Sequence, residues 1–314
     1  MSTGCPSIGG IDDQGVQLDL LLRDVAAETG CLMSMLLPLP VVAWEKATPA
    51  EGWTVRDQMS HLTFSDNAAY LALTDRAAFT QLLAEAQPDP VAFVDRANIP
   101  GRTTGVPELL GGFVQARVQM VHALRAVDRQ TRVPSFGPPM SVLSFVTARL
   151  METWAHGQDV RDALGAETVA TDRLRHIADI GVRTLPNSFR AHGRPIPAAP
   201  VRVEITGPSG ELWVWGERGA KNRVTGSALD FCLVVTQRRH PGDTDVSAEG
   251  AVAAEWMSMA QAFAGPPAPA GARANSLGVP QNPQPPLGMN GTTDEEPDYA
   301  RRCPALDHCR GRTD

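Results

Sequence analysis

The sequence lacks a surplus of basic residues, a long apolar run and a compact set of cysteines, and each absence excludes a class of protein. Lys and Arg number 28 against 35 Asp and Glu, which gives a formal net charge of −7 at pH 7. Nucleic-acid-binding proteins usually carry a basic face. This balance therefore predicts no nucleic-acid partner, although it leaves room for a local basic pocket.

The chain also contains no apolar run of the about 20 residues that a membrane-spanning helix requires. Its first residues, MSTGCPSIGGIDDQG, lack the basic and apolar regions of a secretory signal. The five cysteines form an odd set without a compact disulfide pattern, which is typical of a reducing compartment. Together these features predict a cytoplasmic protein with no membrane partner.

What the chain does contain is the composition of a globular protein, 43% hydrophobic and 20% charged. Its 314 residues are enough for two domains, each with a core of its own. In the first part, apolar residues recur at helical spacing between loops that contain Pro and Gly. This pattern predicts helices over 16–36, 55–74, 75–86, 107–127, 141–164 and 171–187, with a loop over 87–106.

The pattern changes near residue 195. VRVEIT and ELWVWGE alternate apolar and polar residues around GPSG, which predicts a β-hairpin, and two helical segments follow. Beyond residue 265 the chain holds nine of its 26 prolines and almost no periodic apolar pattern. We therefore predict a chain of class α plus α+β. Its parts are a loose leader (1–15), an up-and-down four-helix bundle (16–194), a small α+β domain (195–267) and a disordered tail (268–314).

The stretch ETWAHGQD in the last long helix carries the first candidate site. At about 100° per residue, His156 lies about 40° from Glu152 around the helix axis and Asp159 about 20° on the other side. A carboxylate and an imidazole four residues apart can hold one cation. The same spacing is also common in surface contacts of little energy, so the pair alone does not decide between the two interpretations.

A third imidazole, His61, favours the metal interpretation. It lies in DQMSHL on the second predicted helix, among apolar neighbours that indicate a packed face. Three protein ligands from two helices, with an open fourth position, would form a catalytic rather than a structural metal site. Upstream, Thr54 and Asp57 have the spacing of a capping box, so a cap is the preferred role for Asp57.

The segments GWTVRDQMSHL and ETWAHGQDV resemble the metal-binding DinB-like superfamily, in particular the branch around mycothiol-dependent maleylpyruvate isomerase. The resemblance covers about residues 16–267. It implies a DinB-like bundle with a divalent metal, Zn²⁺ by preference, on His61, Glu152 and His156. It also implies mycothiol or another low-molecular-weight thiol as cofactor, and SALDFCLVVTQRR resembles the sterol-carrier-like or wyosine-formation type of second domain.

This resemblance implies an enzyme that activates the thiol for isomerisation or S-transfer on a small electrophilic substrate. The residues themselves leave two alternatives open, a metal-dependent hydrolase and a non-catalytic small-molecule-binding protein with a structural metal. Members of the branch use an arginine of the second domain near the metal, which points to Arg238 and Arg239. Those arginines can equally be solvated charges at a helix end, and Asp159 can accept a hydrogen bond from a ligand imidazole or form a salt bridge.

Overall fold

The computed structural model describes residues 13–263, and this part of the chain has the predicted fold class. In the first part the helices are α1 (Asp13–Leu36), α2 (Val55–Thr74), α3 (Arg76–Ala86), α4 (Pro90–Thr103), α5 (Val106–Ala126) and α6 (Val142–Leu164). A 3₁₀ turn (Val41–Glu45) precedes α2, and a short hairpin of β1 (Arg132–Val133) and β2 (Met140–Ser141) precedes α6.

Four long helices, α1, α2, α5 and α6, form the bundle. Helix α2 packs against α5 and α6, and α1 packs against α6. The start of α2 is fixed by the predicted capping box, in which Thr54 accepts from the Asp57 amide and Asp57 accepts from the Thr54 amide. Such a cap stabilises a helix by about 1 kcal/mol, and here it also fixes where α2 begins relative to His61.

The prediction of a loop over 87–106 was wrong, because this stretch contains α4. Pro90 lies in the first turn, where its missing N–H is not needed. Pro100 lies inside the helix, where it removes one backbone hydrogen bond, and the packing of α4 on α2 offsets that loss. Asp89 caps the helix by accepting from the Ala92 amide. Gly101 lets α4 approach α2 closely, because a Cβ there would lie 1.6 Å from the Ser60 hydroxyl oxygen.

The second part combines helices with a small sheet. Its elements are α7 (Leu174–Arg183), α8 (Leu185–Ala191), β3 (Val201–Thr206), β4 (Leu212–Trp215), β5 (Asn222–Ser227), α9 (Ala228–Val235), β6 (Ser247–Glu249) and α10 (Ala251–Met257). The predicted hairpin is β3 and β4, and the sheet order is β4-β3-β5-β6 with β3 parallel to β5. The single helix predicted over 171–187 was wrong, since the chain breaks at Thr184 between α7 and α8.

Helix α6 belongs to two hydrophobic cores. Val146 and Leu150 are buried in the bundle with α1 and α2. Met151 and Trp154 are buried instead with α7, α9 and the sheet. The predicted domain limits stay predictions, and most of the predicted leader and all of the predicted tail lie outside the described residues.

A buried polar layer crosses the bundle, which we call the Arg117 layer (Thr29, Asp66, Arg117 and Thr153). The Arg117 guanidinium donates to Asp66 at 2.6 Å and to the hydroxyls of Thr29 and Thr153 at 3.0 Å each. The Arg117 and Asp66 side chains are 8% and 2% exposed. One residue from each long helix takes part, so the layer fixes the relative positions of all four.

The two described cysteines differ in state. Cys31 is disulfide-bonded, which the cysteine pattern did not predict. Cys232 is a free thiol in the second core, where burial raises its pKa well above the usual range. Among residues 13–263, no helix is both long enough and apolar enough to cross a bilayer.

Candidate metal site

The packing of α2 on α6 brings His61, Glu152 and His156 together. One potential ligand atom from each lies within 4.8 Å of the others. The Glu152 Oε2 atom is 3.2 Å from His156 Nε2 and 3.6 Å from His61 Nε2. These side chains are only 11–18% exposed, so the cluster is largely shielded from water. Two imidazoles and a carboxylate are a donor set that suits zinc.

Gln58 determines which nitrogen of His156 faces the cluster. Its amide N–H donates to the Thr48 hydroxyl at 2.9 Å, and that hydroxyl donates to the Trp53 carbonyl at 3.0 Å. The Gln58 carbonyl oxygen is thereby left to accept from His156 Nδ1 at 2.6 Å. The Nε2 lone pair of His156 then faces Glu152 and the centre of the cluster, which is the orientation that a metal ligand requires.

The surroundings also favour the protonation states that bind a metal. Burial alone would raise the pKa of Glu152. The two neighbouring imidazoles and the Arg149 charge nevertheless hold this pKa well below its usual range. Burial lowers the pKa of His156, and the neighbouring His61 acts in the same direction. An ionised carboxylate beside a neutral imidazole is the form in which both groups coordinate metals.

Trp53 covers the two imidazoles. Its ring centroid is 6.1 Å from that of His156, at an interplanar angle of 17°, and 5.2 Å from that of His61. The indole N–H donates to Asp95 on α4 at 2.9 Å, which holds the ring in place. Trp53 therefore lies at the cluster, between α4 and α6.

Asp159 and the two arginines lie behind His156. The Asp159 Oδ2 atom is 3.6 Å from His156 Nδ1, on the side of the ring away from Glu152. Arg238 grips Asp159 with two hydrogen bonds, of 2.7 and 3.2 Å. Arg239 grips Asp162 in the same way, with both bonds at 2.7 Å. Both guanidinium groups are therefore occupied by carboxylates of α6.

The backbone at Gln237 directs both arginines towards α6. Helix α9 ends at Val235, and Gln237 adopts a positive φ of 61°. Residues other than glycine rarely adopt this backbone conformation, so its presence at Gln237 indicates a local constraint. After the reversal, the Arg238 and Arg239 amides both donate to the Leu233 carbonyl.

Sequence reasoning grouped His61, Glu152 and His156 but missed Gln58, Thr48 and Trp53 as their neighbours. Gln58 precedes His61 by three residues, so the two lie on nearby faces of α2. This spacing was a usable signal for Gln58. Thr48 lies before α2, in a segment tied to it by the Ala47–Thr54 bridge, and no spacing rule could have placed it there.

Comparison with known proteins finds matches for both parts of the chain. Residues 25–161 match the family model described as the mycothiol maleylpyruvate isomerase N-terminal domain, and residues 197–249 match the model for wyosine base formation. Two proteins of Mycobacterium tuberculosis, from strains CDC 1551 and H37Rv, are 47% identical over 246 residues. The alignments span 78% of this chain and 96% of each relative, and both relatives are described as uncharacterized.

The chain belongs to the mycothiol maleylpyruvate isomerase-like family. The crystal structure of a mycothiol-dependent maleylpyruvate isomerase superposes with a TM-score of 0.50 at 15% identity, covering 74% of this chain and 92% of that one. A histidine-to-alanine mutant of such an isomerase gives 0.51 with the same coverage. At this identity, the likeness to these isomerases shows the fold alone.

Proposed function

We propose that this protein is a zinc-dependent enzyme that uses a low-molecular-weight thiol, by preference mycothiol, to isomerise a small electrophilic substrate or to transfer the thiol sulfur to it. The observation that carries the proposal is the group of His61, Glu152 and His156, whose ligand atoms lie within 4.8 Å of one another. Three protein ligands are typical of catalytic zinc sites, which keep a position for a reactant. Membership of an isomerase family supports the thiol-dependent chemistry.

When bound here, zinc would lower the pKa of a coordinated thiol and so supply a thiolate at neutral pH. The thiolate sulfur would bond to an alkene carbon conjugated with a carbonyl, and the C=C π pair would move to the carbonyl oxygen as an enolate. In isomerisation the former double bond rotates, the enolate re-forms the C=C bond, and the C–S bond breaks to release the thiolate. In S-transfer the enolate takes up a proton and the C–S bond remains in the product.

The surrounding residues would keep the ligands ready for this chemistry. Gln58 holds the His156 tautomer, and Trp53 shields the cluster from water on the side of α4. Asp159 would act on His156 at Nδ1, the ring nitrogen that faces away from Glu152. Arg238 would be the positioning residue that holds Asp159 in place. Arg239 would fix the docking of the second domain through Asp162.

Metal content is the first test. We expect about one zinc per wild-type chain by mass spectrometry and close to none in His156→Ala. The control is His176→Ala, because His176 pairs with Asp24 far along the sequence from the cluster and should leave the metal in place. Equal metal in wild type and His156→Ala would rule out the site.

The roles of the two arginines can be separated by metal affinity. Arg238→Gln should weaken zinc binding about tenfold in a chelator competition, because groups that orient a ligand typically contribute that much or more. Arg239→Gln is the matched control and should leave the affinity unchanged. An identical effect of both substitutions would show that Arg238 acts only in docking the second domain.

Thiol dependence is the second test and separates the proposal from the alternatives. Zinc-loaded protein is assayed on maleylpyruvate-like and epoxide electrophiles with and without mycothiol. Turnover that needs the thiol supports the proposal, whereas thiol-independent hydrolysis supports a hydrolase. A structural metal would need a fourth protein ligand, and Asp159 faces the wrong nitrogen of His156 for that role.

A further inference from the structure

The two imidazoles of the cluster differ in what their second ring nitrogen contacts. Both turn Nε2 towards Glu152, at 3.6 Å for His61 and 3.2 Å for His156. Nδ1 of His156 is hydrogen-bonded to the Gln58 carbonyl oxygen at 2.6 Å. Nδ1 of His61 is buried and has no hydrogen-bond partner among residues 13–263. A ligand imidazole usually donates this second N–H to an acceptor that fixes its tautomer, so His61 needs an acceptor of its own.

Asn98 on α4 is a buried amide whose hydrogen-bonding groups are also unsatisfied. Its exposed fraction is 0%, and neither Oδ1 nor Nδ2 has a partner in the described part of the chain. Asn222, a buried asparagine of the sheet, uses both atoms. Its Nδ2 donates to the Pro200 carbonyl at 3.4 Å, and its Oδ1 accepts from the Val252 amide at 3.0 Å. A buried amide without partners destabilises a fold, so Asn98 indicates a role that packing does not explain.

The contacts of α4 place Asn98 beside His61. At about 100° per residue, Asn98 lies between Asp95 and Gly101 along the helix and about 60° from each around its axis. The Asp95 carboxylate accepts from the Trp53 indole, whose ring centroid lies 5.2 Å from that of His61. On this side of Asn98, therefore, α4 reaches the ring that covers His61.

On the other side of Asn98, α4 touches Ser60, the residue that precedes His61. A Cβ at Gly101 would lie 1.6 Å from Ser60 Oγ, so the two helices are in direct contact there. Ser60 Oγ is itself buried without a partner in the described chain. Ser60, His61 and Asn98 thus bring unsatisfied donors and acceptors to one part of the α2–α4 interface. Buried waters typically make about three hydrogen bonds to polar groups of this kind.

We propose that Asn98 is the positioning residue for His61 and acts through one buried water molecule. The water accepts from His61 Nδ1 and donates to Asn98 Oδ1, and Ser60 Oγ is its third partner. This arrangement keeps the proton on Nδ1 and leaves the Nε2 lone pair for the metal, as Gln58 does directly for His156. The inference rests on the proposed function and deepens it, because it assigns an orienting group to each ligand imidazole.

Zinc affinity of the full-length protein, measured by chelator competition, is the first test. Asn98→Leu removes the acceptor and should weaken zinc binding at least about tenfold, and Asn98→Ala, which is too small to clash, should do the same. Asn98→Asp keeps an acceptor oxygen at this place and should bind zinc within about threefold of wild type. Asn222→Leu is the matched control, because it removes a buried amide of the sheet, and it should leave zinc affinity unchanged.

The tautomer of His61 in zinc-free protein is the second test. NMR of the imidazole nitrogens, at a pH where the ring is neutral, reports which nitrogen carries the proton, and His61→Gln identifies the signals. The wild type should hold the proton on Nδ1, whereas Asn98→Leu should populate both tautomers. A purely structural role of Asn98 would not change this ratio.

Three outcomes would each overturn the inference and leave the zinc enzyme in place. They are wild-type zinc affinity in Asn98→Leu, an unchanged tautomer in that variant, and a loss of affinity in Asn98→Asp as large as that in Asn98→Leu. A wild type that binds no zinc would instead remove the proposed function. The tautomer, measured on zinc-free protein, would then still decide whether Asn98 orients His61.

Discussion

Two polar regions cross the bundle within a few residues of each other, and they differ in whether their hydrogen-bonding groups are satisfied. In the Arg117 layer, the guanidinium reaches one carboxylate and two hydroxyls. At the neighbouring metal cluster and one helical turn from it, His61 Nδ1 and Arg149 Nε are buried without a partner in the described chain. Buried groups that satisfy one another hold a fold together. Unsatisfied groups beside three candidate ligands leave donors and acceptors for a bound group.

The largest expected effect comes from breaking the satisfied region. Arg117→Met leaves Asp66 charged and buried without a partner, which should cost about 3–5 kcal/mol of unfolding free energy. In a chain of this size that lowers Tm by about 10 °C. Urea unfolding and calorimetry would measure it.

The matched control replaces both charges. The double variant Arg117→Met with Asp66→Leu should recover most of the loss, because no unpaired charge remains. Zinc per folded chain should stay at the wild-type value in both variants. A single substitution costing less than about 1 kcal/mol would contradict a structural role for the Arg117 layer.

A smaller effect is expected where the metal cluster depends on a neighbour. Gln58→Leu removes the acceptor of His156 Nδ1 and should weaken zinc binding by about tenfold to a hundredfold in a chelator competition. Gln158→Leu offers a matched control, since Gln158 is equally buried but bonds Asp162 and Thr168 rather than a candidate ligand. Equal zinc affinity in both variants would contradict the role assigned to Gln58.

The smallest effect on stability should come from Arg149→Met. No carboxylate loses its partner, so we expect a change in unfolding free energy below about 1 kcal/mol by urea unfolding. A loss as large as that of Arg117→Met would place Arg149 with the satisfied groups and remove the contrast between the two regions.

Sequence reasoning reached the parts of this molecule that depend on local spacing. The limits of α2, its cap at Thr54 and Asp57, and the stripe of Glu152 and His156 on α6 all follow from helical periodicity and capping chemistry. Helix α4 was missed because Pro90 and Pro100 suggest a loop. In fact Pro90 lies where the first turn tolerates it, and packing of α4 on α2 maintains the helix through Pro100.

The rest depends on contacts between residues far apart in the chain. Arg117 reaches Thr29 across 88 positions, and Arg238 reaches Asp159 across 79. Strand β5 was missed for a related reason. NRVTGS contains one large apolar residue, Val224, so it lacks the apolar–polar alternation that revealed β3, and it becomes a strand because β3 and β6 supply its hydrogen bonds on both sides.

The two-sided burial of α6 has a consequence for how this protein can be divided. Because Met151 and Trp154 complete the core of the second half, that half expressed alone would expose an apolar surface that α6 normally covers. The wyosine-type segment is thus no detachable module. In evolution, as in a designed chimera, it can be exchanged only together with the outer face of the helix that carries Glu152 and His156.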